Sequence, residues 1–233
     1  MTVNRTVRPV PAYATTHAPA LPAQRAARAG AHDGPGAAPV VRDLRERAGR
    51  GPRTLLFGPR DLVVVTGLPG SGKSTLMERA AHGARIDSQD VRDRFAARLP
   101  RRLPYALYRP LVRLAHYAAL RRALRSGEPV VVHDCGTQTW VRSWLARAAR
   151  RRGGALHLIL LDVTPAAALQ GQRRRGRGVS RYAFARHRRS AARLLRAVEG
   201  GELPRGCGSA VLLDRAAAGG LRRIAFGGAG GTR

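Results

Sequence analysis

The chain has 233 residues, 44% of them hydrophobic, which is enough for a packed domain and argues against wholesale disorder. Its 43 basic residues outnumber its 14 acidic residues, and the resulting net charge of +29 favours anionic partners. There is no apolar run of about 18 residues and no signal-like segment, so we expect a cytoplasmic protein without a membrane span. Two cysteines, Cys135 and Cys207, are too few for a disulfide framework or a metal quartet.

Residues 1–50 show little periodic hydrophobic pattern. Residues 1–40 are rich in Ala, Pro, Thr, Arg and Gly, a composition typical of a disordered tail, and residues 41–48 favour at most a short helix. We therefore expect a tail over residues 1–50, a folded domain over residues 54–226, and a flexible glycine-rich tail over residues 227–233.

Strands and helices are predicted to alternate after residue 54. Predicted strands lie at residues 54–57, 62–66, 84–86, 129–133, 155–161 and 210–213, and predicted helices at 73–81, 88–99, 105–125, 137–152, from 165, and at 180–198. Most of the strands are continuously apolar, as strands buried on both faces are. The pattern indicates an α/β fold with a parallel sheet covered on both faces.

Two of the predicted helices carry apolar residues at helical spacing. The helix over residues 105–125 places Leu107, Leu111 and Leu114 on one face, followed by Ala118 and Leu124. The helix over residues 137–152 places Trp140 and Trp144 one turn apart. We expect both faces to pack into the core.

A glycine-rich loop that follows the strand at residues 62–66 matches the pattern GxxxxGK[ST]. It comprises Gly67, Leu68, Pro69, Gly70, Ser71, Gly72, Lys73, Ser74 and Thr75. Glycines let backbone N–H groups converge on phosphate oxygens, and the helix that follows presents its positive end to the same anion. Lys73 would reach the β- and γ-phosphates and the Ser74 hydroxyl would bind Mg²⁺, so the motif predicts a nucleotide site.

Lys73 is the only lysine of the chain, and arginine supplies the other 42 of the 43 basic residues. Because a guanidinium is longer and planar, a lysine that persists in so arginine-rich a chain indicates a position where arginine does not serve. The [NT]KxD motif of guanine-specific GTPases needs a second lysine and is therefore absent. ATP is the favoured nucleotide by elimination.

The segment from Val64 to Thr75, together with the order of elements over residues 60–215, resembles a group of small P-loop kinases. The group includes polynucleotide 5′-kinase, zeta-type toxins and adenylylsulfate kinase, and its members are also called AAA family ATPases. The resemblance implies a three-layer P-loop NTPase sandwich with about five mainly parallel strands, an arginine-rich lid, and phosphoryl transfer from ATP.

The resemblance also implies an aspartate that activates the acceptor hydroxyl and a basic residue that contacts a phosphate, in the pattern DxxR or DxxK. This chain has Gln89 three positions before Arg92, which departs from the pattern. Asp87 at the end of the strand is the preferred base, and Asp90 one helical turn later is the alternative. Both carboxylates are also explained by capping and by the charge preference of a first helical turn.

Further site residues follow from the same resemblance. Asp134, after the strand at residues 129–133, would bind Mg²⁺ or orient the acceptor, or would simply cap the next turn. Arg175 and Arg177 lie where related kinases have a lid and would close over the γ-phosphate, and the alternative is a solvated basic run. His133 is interpreted as an isolated histidine without metal-ligand spacing.

Together these residues predict an ATP-dependent kinase that transfers the γ-phosphoryl group to a hydroxyl of a small molecule or a nucleic acid. The alternative is a regulator that binds and slowly hydrolyses ATP without an acceptor, with Gln138 positioning the water. The basic surface favours an anionic acceptor or contact with nucleic acid. A dedicated nucleic-acid module needs aromatic residues among the basic ones, and aromatics are only 5% of the chain. The acceptor and the oligomeric state are left open.

Overall fold

The computed structural model describes residues 40–47, 50–82, 84–100, 102–133, 139–176 and 178–227. In chain order its elements are β1 (Val40–Asp43), β2 (Thr54–Phe57), β3 (Leu62–Gly67), α1 (Lys73–Ala80), β4 (Ala84–Ile86), α2 (Ser88–Arg98), α3 (Tyr105–Arg125), β5 (Val130–His133), α4 (Thr139–Arg151), β6 (Leu156–Leu161), α5 (Pro165–Arg174), α6 (Arg181–Glu199), β7 (Cys207–Leu213), α7 (Arg215–Gly220) and β8 (Arg223–Phe226). None of the described helices is long and apolar enough to cross a membrane.

The main sheet has six strands in the order β1-β7-β6-β3-β5-β4, and every pairing in it is parallel. This confirms the predicted α/β fold. The strand at residues 54–57 also forms, as β2, but it pairs with β8 in a separate two-stranded sheet. The sheet has one strand more than the expected number of about five, because β1 was not predicted.

The central strand β3 is buried at all six positions, and its side chains alternate between two hydrophobic clusters. Val63 and Val65 pack with α1, α7 and the small sheet, whereas Leu62 and Val64 pack with α3, α4 and α6. Full burial of one such side chain stabilises the fold by about 1.5–3 kcal/mol. The two clusters fix β3, and with it the loop that follows, in the middle of the domain.

Strand β1 corrects the prediction of a tail over residues 1–50 and of a helix at 41–48. Val40 to Asp43 instead form the edge strand beside β7. Arg45 then forms ion pairs with Asp43, Asp162 and Glu199 at 2.6–2.7 Å. The partner strand lies about 170 residues further along the chain, so no local pattern announces the pairing. Residues 1–39 lie outside the described part of the chain, as do residues 228–233.

The predicted core face of the helix at residues 105–125 is wrong except at Leu124, which packs at the edge of the core, and Ala118 is exposed. Leu107, Leu111 and Leu114 are 55–68% exposed. Tyr108 and Val112 are buried there instead, against Val91 and other residues of α2 and its flanks. Apolar residues occur on more than one side of α3, and packing against α2 selects the side that is buried.

The tryptophans of α4 divide between core and surface. Trp144 packs at the edge of the core as predicted, whereas Trp140 is 54% exposed, so its predicted burial is wrong. The ring of Tyr117 on α3 contacts both, with ring centroids 5.3 Å from Trp140 and 6.4 Å from Trp144.

Candidate nucleotide and acceptor site

The phosphate loop lies at the carboxyl end of β3, between the strand and the first residue of α1. Gly70 and Gly72 have φ angles of 87° and 98°, in the region that favours glycine. Lys73 is buried, and its ammonium donates hydrogen bonds to the carbonyl oxygens of Gly67, at 2.9 Å, and Leu68, at 2.7 Å. The loop therefore closes around the lysine ammonium.

The hydroxyl-bearing residues of the loop differ in their exposure to solvent. The Ser71 hydroxyl oxygen is buried and has no hydrogen-bond partner among the described residues. Ser74 is half-buried in the first turn of α1, and Thr75 beside it is exposed. An unsatisfied hydroxyl inside the loop is unfavourable unless a further polar group approaches, which a phosphate oxygen would do.

The backbone of helix α5 packs very closely against the backbone of the phosphate loop at Gly70. A Cβ atom at Gly70 would lie 2.1 Å from the carbonyl oxygen of Ala168, and one at Gly171 would lie 2.3 Å from the carbonyl oxygen of Gly70. Neither distance is sterically possible, so both positions require glycine. The pair holds the loop rigidly against the helix that leads into the predicted lid.

Gln172 connects the loop to that lid. Its side chain is buried, and its Nε2 donates to the carbonyl oxygen of Pro69 at 3.0 Å. Its Oε1 accepts from the backbone N–H of Val179, also at 3.0 Å. One buried amide therefore contacts the phosphate loop on one side and the far end of the lid segment on the other.

The predicted base Asp87 is buried at the carboxyl end of β4, only 4% exposed. Its Oδ1 lies 2.5 Å from Nδ1 of His133, the last residue of β5. His133 pairs in register with Val65, two residues before Gly67, so the Asp87–His133 pair lies beside the phosphate loop strand. The Nε2 atom of His133 is buried without a hydrogen-bond partner among the described residues.

The other predicted acceptor-side residues lie on α2. The Asp90 side chain is 47% exposed and lies 3.7 Å from the Arg85 guanidinium. Arg92 is half-buried on the same helix. Asp90 thus has an ordinary surface environment, whereas Asp87 is enclosed.

Of the two arginines predicted to lie in the lid, only Arg175 is among the described residues. Nη2 of Arg175, which follows α5, donates to the hydroxyl oxygen of Thr75 at 2.7 Å. This contact holds a guanidinium against the first turn of α1. Arg177 and Asp134 lie outside the described residues, and so do Cys135 and Gln138, so their predicted roles stay predictions.

Sequence reasoning missed two residues of the site. His133 appeared as an isolated histidine, although its place at the end of a strand beside a predicted carboxylate strand was a usable signal. Gln172 carried no signal, because its two backbone partners are about 100 and 7 residues away along the chain.

The AAA domain family matches residues 62–198, more than half of the chain. No curated protein is significantly similar to this chain. The solved structures similar to this chain include a gluconokinase from Sinorhizobium meliloti (24% identity, covering 70% of this chain and 92% of that chain, TM-score 0.40). They also include the PezAT toxin–antitoxin system of Streptococcus pneumoniae (12% identity, covering 73% of this chain and 72% of that chain, TM-score 0.48) and the tunicamycin resistance protein of Deinococcus radiodurans (19% identity, covering 58% of this chain and 80% of that chain, TM-score 0.37). Likeness at this level says nothing about the substrate. The family match agrees with the resemblance that the loop sequence predicts, and the chain belongs to the AAA domain family of P-loop proteins.

Proposed function

We propose that the protein is an ATP-dependent kinase that transfers the γ-phosphoryl group to a hydroxyl of its acceptor. The observation that carries the proposal is the buried Asp87 carboxylate, hydrogen-bonded to His133 beside the strand that leads into the phosphate loop. A carboxylate enclosed at the carboxyl edge of a parallel sheet lies where ligands of such sheets bind.

The phosphate loop would hold the nucleotide. Lys73 would exchange its two carbonyl partners for the β- and γ-phosphates, and the N-terminus of α1 would face the same charge. The Ser71 hydroxyl, which has no described partner, is available to a phosphate oxygen. Arg175, whose guanidinium donates to Thr75, would turn from this hydroxyl to a phosphate as the lid closes.

The donor set of the site suits Mg²⁺, which takes hard oxygen ligands and keeps several of its waters. The Ser74 hydroxyl, which lies among the described residues, would supply one ligand, and Asp134 is the predicted second ligand. Among the described residues no group of three or more His, Cys, Asp or Glu side chains can hold a metal, so the nucleotide phosphates would complete the coordination. When bound, the ion neutralises charge between the phosphates.

Asp87 would align the acceptor hydroxyl with the γ-phosphate and accept its proton as the new bond forms. With Nδ1 protonated, His133 donates to the carboxylate and fixes its orientation. Alignment matters most in this reaction, because the transition state is loose and needs little chemical activation. Asp90, exposed and 3.7 Å from Arg85, is the weaker candidate for this role.

The test compares nucleotide binding with phosphoryl transfer. Calorimetric titration with ATP and Mg²⁺ measures binding, and labelled γ-phosphate offered to sugars, nucleosides, RNA and DNA identifies the acceptor. We expect Lys73→Ala and Lys73→Arg to abolish transfer. We expect Asp87→Asn to retain ATP affinity but to lower transfer by about 10²–10⁴-fold, whereas Asp90→Asn should change it little.

Two results would contradict the proposal. Normal transfer by Lys73→Ala at saturating Mg²⁺ would show that the loop does not hold the reacting phosphate. If no acceptor is found and the Asp87→Asn variant hydrolyses ATP at the wild-type rate, the alternative of an ATP-dependent regulator is the better description.

A further inference from the structure

Helices α3 and α4 leave an open cleft of about 560 Å³ between their C-terminal ends. The lining, which we call the arginine cleft, combines four cationic side chains with three apolar ones: Arg121, Leu124, Arg125, Trp144, Ala148, Arg151 and Arg152. It contains no carboxylate, and none of its four arginines forms an ion pair with a described carboxylate. The four positive charges repel one another, and an anionic ligand bound among them would offset this repulsion.

Arg152 supplies a second observation. Its Nη2 donates to the carbonyl oxygen of Glu128 at 2.5 Å, whereas its Nε and Nη1 atoms are buried and lack a hydrogen-bond partner among the described residues. Burial lowers the pKa of Arg152, although the nearby Asp61 and Glu128 oppose this effect. Buried donors without an acceptor are unfavourable, and an anionic oxygen that enters the cleft would satisfy them.

Aromatic rings continue the cleft toward the edge of the sheet that holds the phosphate loop. Trp144 lines the cleft, Tyr117 contacts Trp144 and Trp140, and Trp140 leaves 54% of its surface exposed. Helix α4 follows the carboxyl end of β5 and precedes the parallel strand β6, so it runs from the loop edge of the sheet to the opposite edge. From Trp140 to Arg151 the helix extends about 17 Å, room for a strand of a few nucleotides.

We propose that the groove formed by the arginine cleft and the rings of Tyr117, Trp140 and Trp144 binds single-stranded nucleic acid. Arginines neutralise backbone phosphates and exposed aromatic rings stack on bases, a combination that holds single strands with little sequence preference. A flat lipid surface does not enter a concave cleft, and a ligand without bases leaves Trp140 unused. The groove is separate from the phosphate loop, so this inference does not depend on the proposed kinase activity.

The arginine content of the chain alone does not identify such a site, because arginine is abundant everywhere in it. The inference rests on position: four arginines without described acidic partners share one cleft with a tryptophan, and a half-exposed second tryptophan follows. These are the two tryptophans of the whole chain, so its tryptophan fluorescence reports directly on the groove.

The experiment uses the full chain without ATP and a fluorescein-labelled oligodeoxythymidylate of about 12 nucleotides. Fluorescence anisotropy measures affinity at several salt concentrations, and an unlabelled oligonucleotide should quench the tryptophan emission. The Arg121→Gln/Arg151→Gln variant should bind at least about tenfold more weakly, and the slope of log K against log salt should become shallower by about 0.7 per lost contact. Trp140→Ala should also cost about tenfold.

The control is Arg222→Gln/Arg223→Gln, which removes two exposed arginines beside β8 on the other face of the main sheet and should leave affinity unchanged. An equal loss in the control would overturn the proposal in favour of diffuse charge attraction. Absence of quenching, or equally tight binding of inorganic polyphosphate or of anionic phosphatidylserine vesicles, would overturn it as well. Lys73→Ala should keep oligonucleotide binding, and its loss there, or displacement by ATP, would place the ligand in the phosphate loop instead.

Discussion

Asp61 is buried at the amino edge of the main sheet, opposite the phosphate loop, and should make the stability of the fold depend on acid pH. Its carboxylate accepts hydrogen bonds from the backbone N–H groups of Gly58, at 2.6 Å, and Ala155, at 2.8 Å. His157 Nε2 lies 2.9 Å away, and its Nδ1 lies 2.7 Å from the hydroxyl oxygen of Ser209. One carboxylate thus connects the turn before β3 with β6 and β7.

The magnitude follows from the pKa of Asp61. Burial disfavours the charged carboxylate, but the hydrogen bonds from His157, Ala155 and Gly58 outweigh this and lower its pKa from 3.8 to about 2. Each pKa unit corresponds to about 1.4 kcal/mol, so the ionised carboxylate stabilises the fold by about 2–3 kcal/mol. Because the native pKa is the lower one, this contribution is complete above about pH 4 and is lost as the pH falls toward 2.

We expect Asp61→Asn to lower the free energy of unfolding by about 2–3 kcal/mol at pH 7 and the melting temperature by about 5–10 °C. The difference from wild type should narrow as the pH is lowered from about 4 toward 2. Urea unfolding followed by circular dichroism at each pH measures it, and ATP affinity at pH 7 should be unchanged because Asp61 is at the far edge. Glu78→Gln, an exposed carboxylate of α1, is the matched control and should stay within about 0.5 kcal/mol of wild type. A difference that is as large at pH 3 as at pH 7, or absent at both, would refute the reasoning.

Three further predictions concern single contacts. Gln172→Ala removes both hydrogen bonds that join Pro69 to the lid segment, so calorimetry should show ATP bound about tenfold more weakly; unchanged affinity would mean that the loop holds its shape without the lid. Gly70→Ala should abolish ATP binding with the helical circular dichroism retained, because its Cβ would lie 2.1 Å from the Ala168 carbonyl oxygen, and tight binding would contradict the described packing. Burial raises the pKa of Cys207 to about 11, so little of the reactive thiolate is present at pH 8. Alkylation of Cys207 by iodoacetamide at pH 8, measured by peptide mass spectrometry, should be more than about 100-fold slower than alkylation of an exposed thiol. The rate should increase above pH 10.

The sequence predicts the centre of this fold better than its margins. The strand at residues 62–66, the loop and the helix from Lys73 form one continuous local pattern, and the structure reproduces it within one residue at each end. The helices predicted from residue 165 and over residues 180–198 also form, and the Thr164 and Ser180 side chains at their starts accept hydrogen bonds from the N–H three residues later. Local chemistry decides all of these features.

Features decided by distant partners were not predictable. Strand β1 depends on β7, and the buried side of α3 depends on α2. The aromatic cluster of Tyr117, Trp140 and Trp144 likewise forms only when α3 and α4 meet. Composition therefore argued against interleaved aromatic and basic residues, although the fold brings them together.

The edge position of β1 has a consequence for synthesis of the chain. Val40 pairs with Ser209, so the first strand of the sheet emerges from the ribosome long before its only described partner strand exists. At about 5–20 residues per second, about 170 residues take about 8–34 s to add. During that interval the backbone N–H and C=O groups from Val40 to Asp43 have no strand partner. Chaperones can bind this segment, and it can also pair with the edge strand of another chain. Closure of β1 onto β7 is then a late step of folding, and it completes the sheet only when nearly the whole domain has been translated.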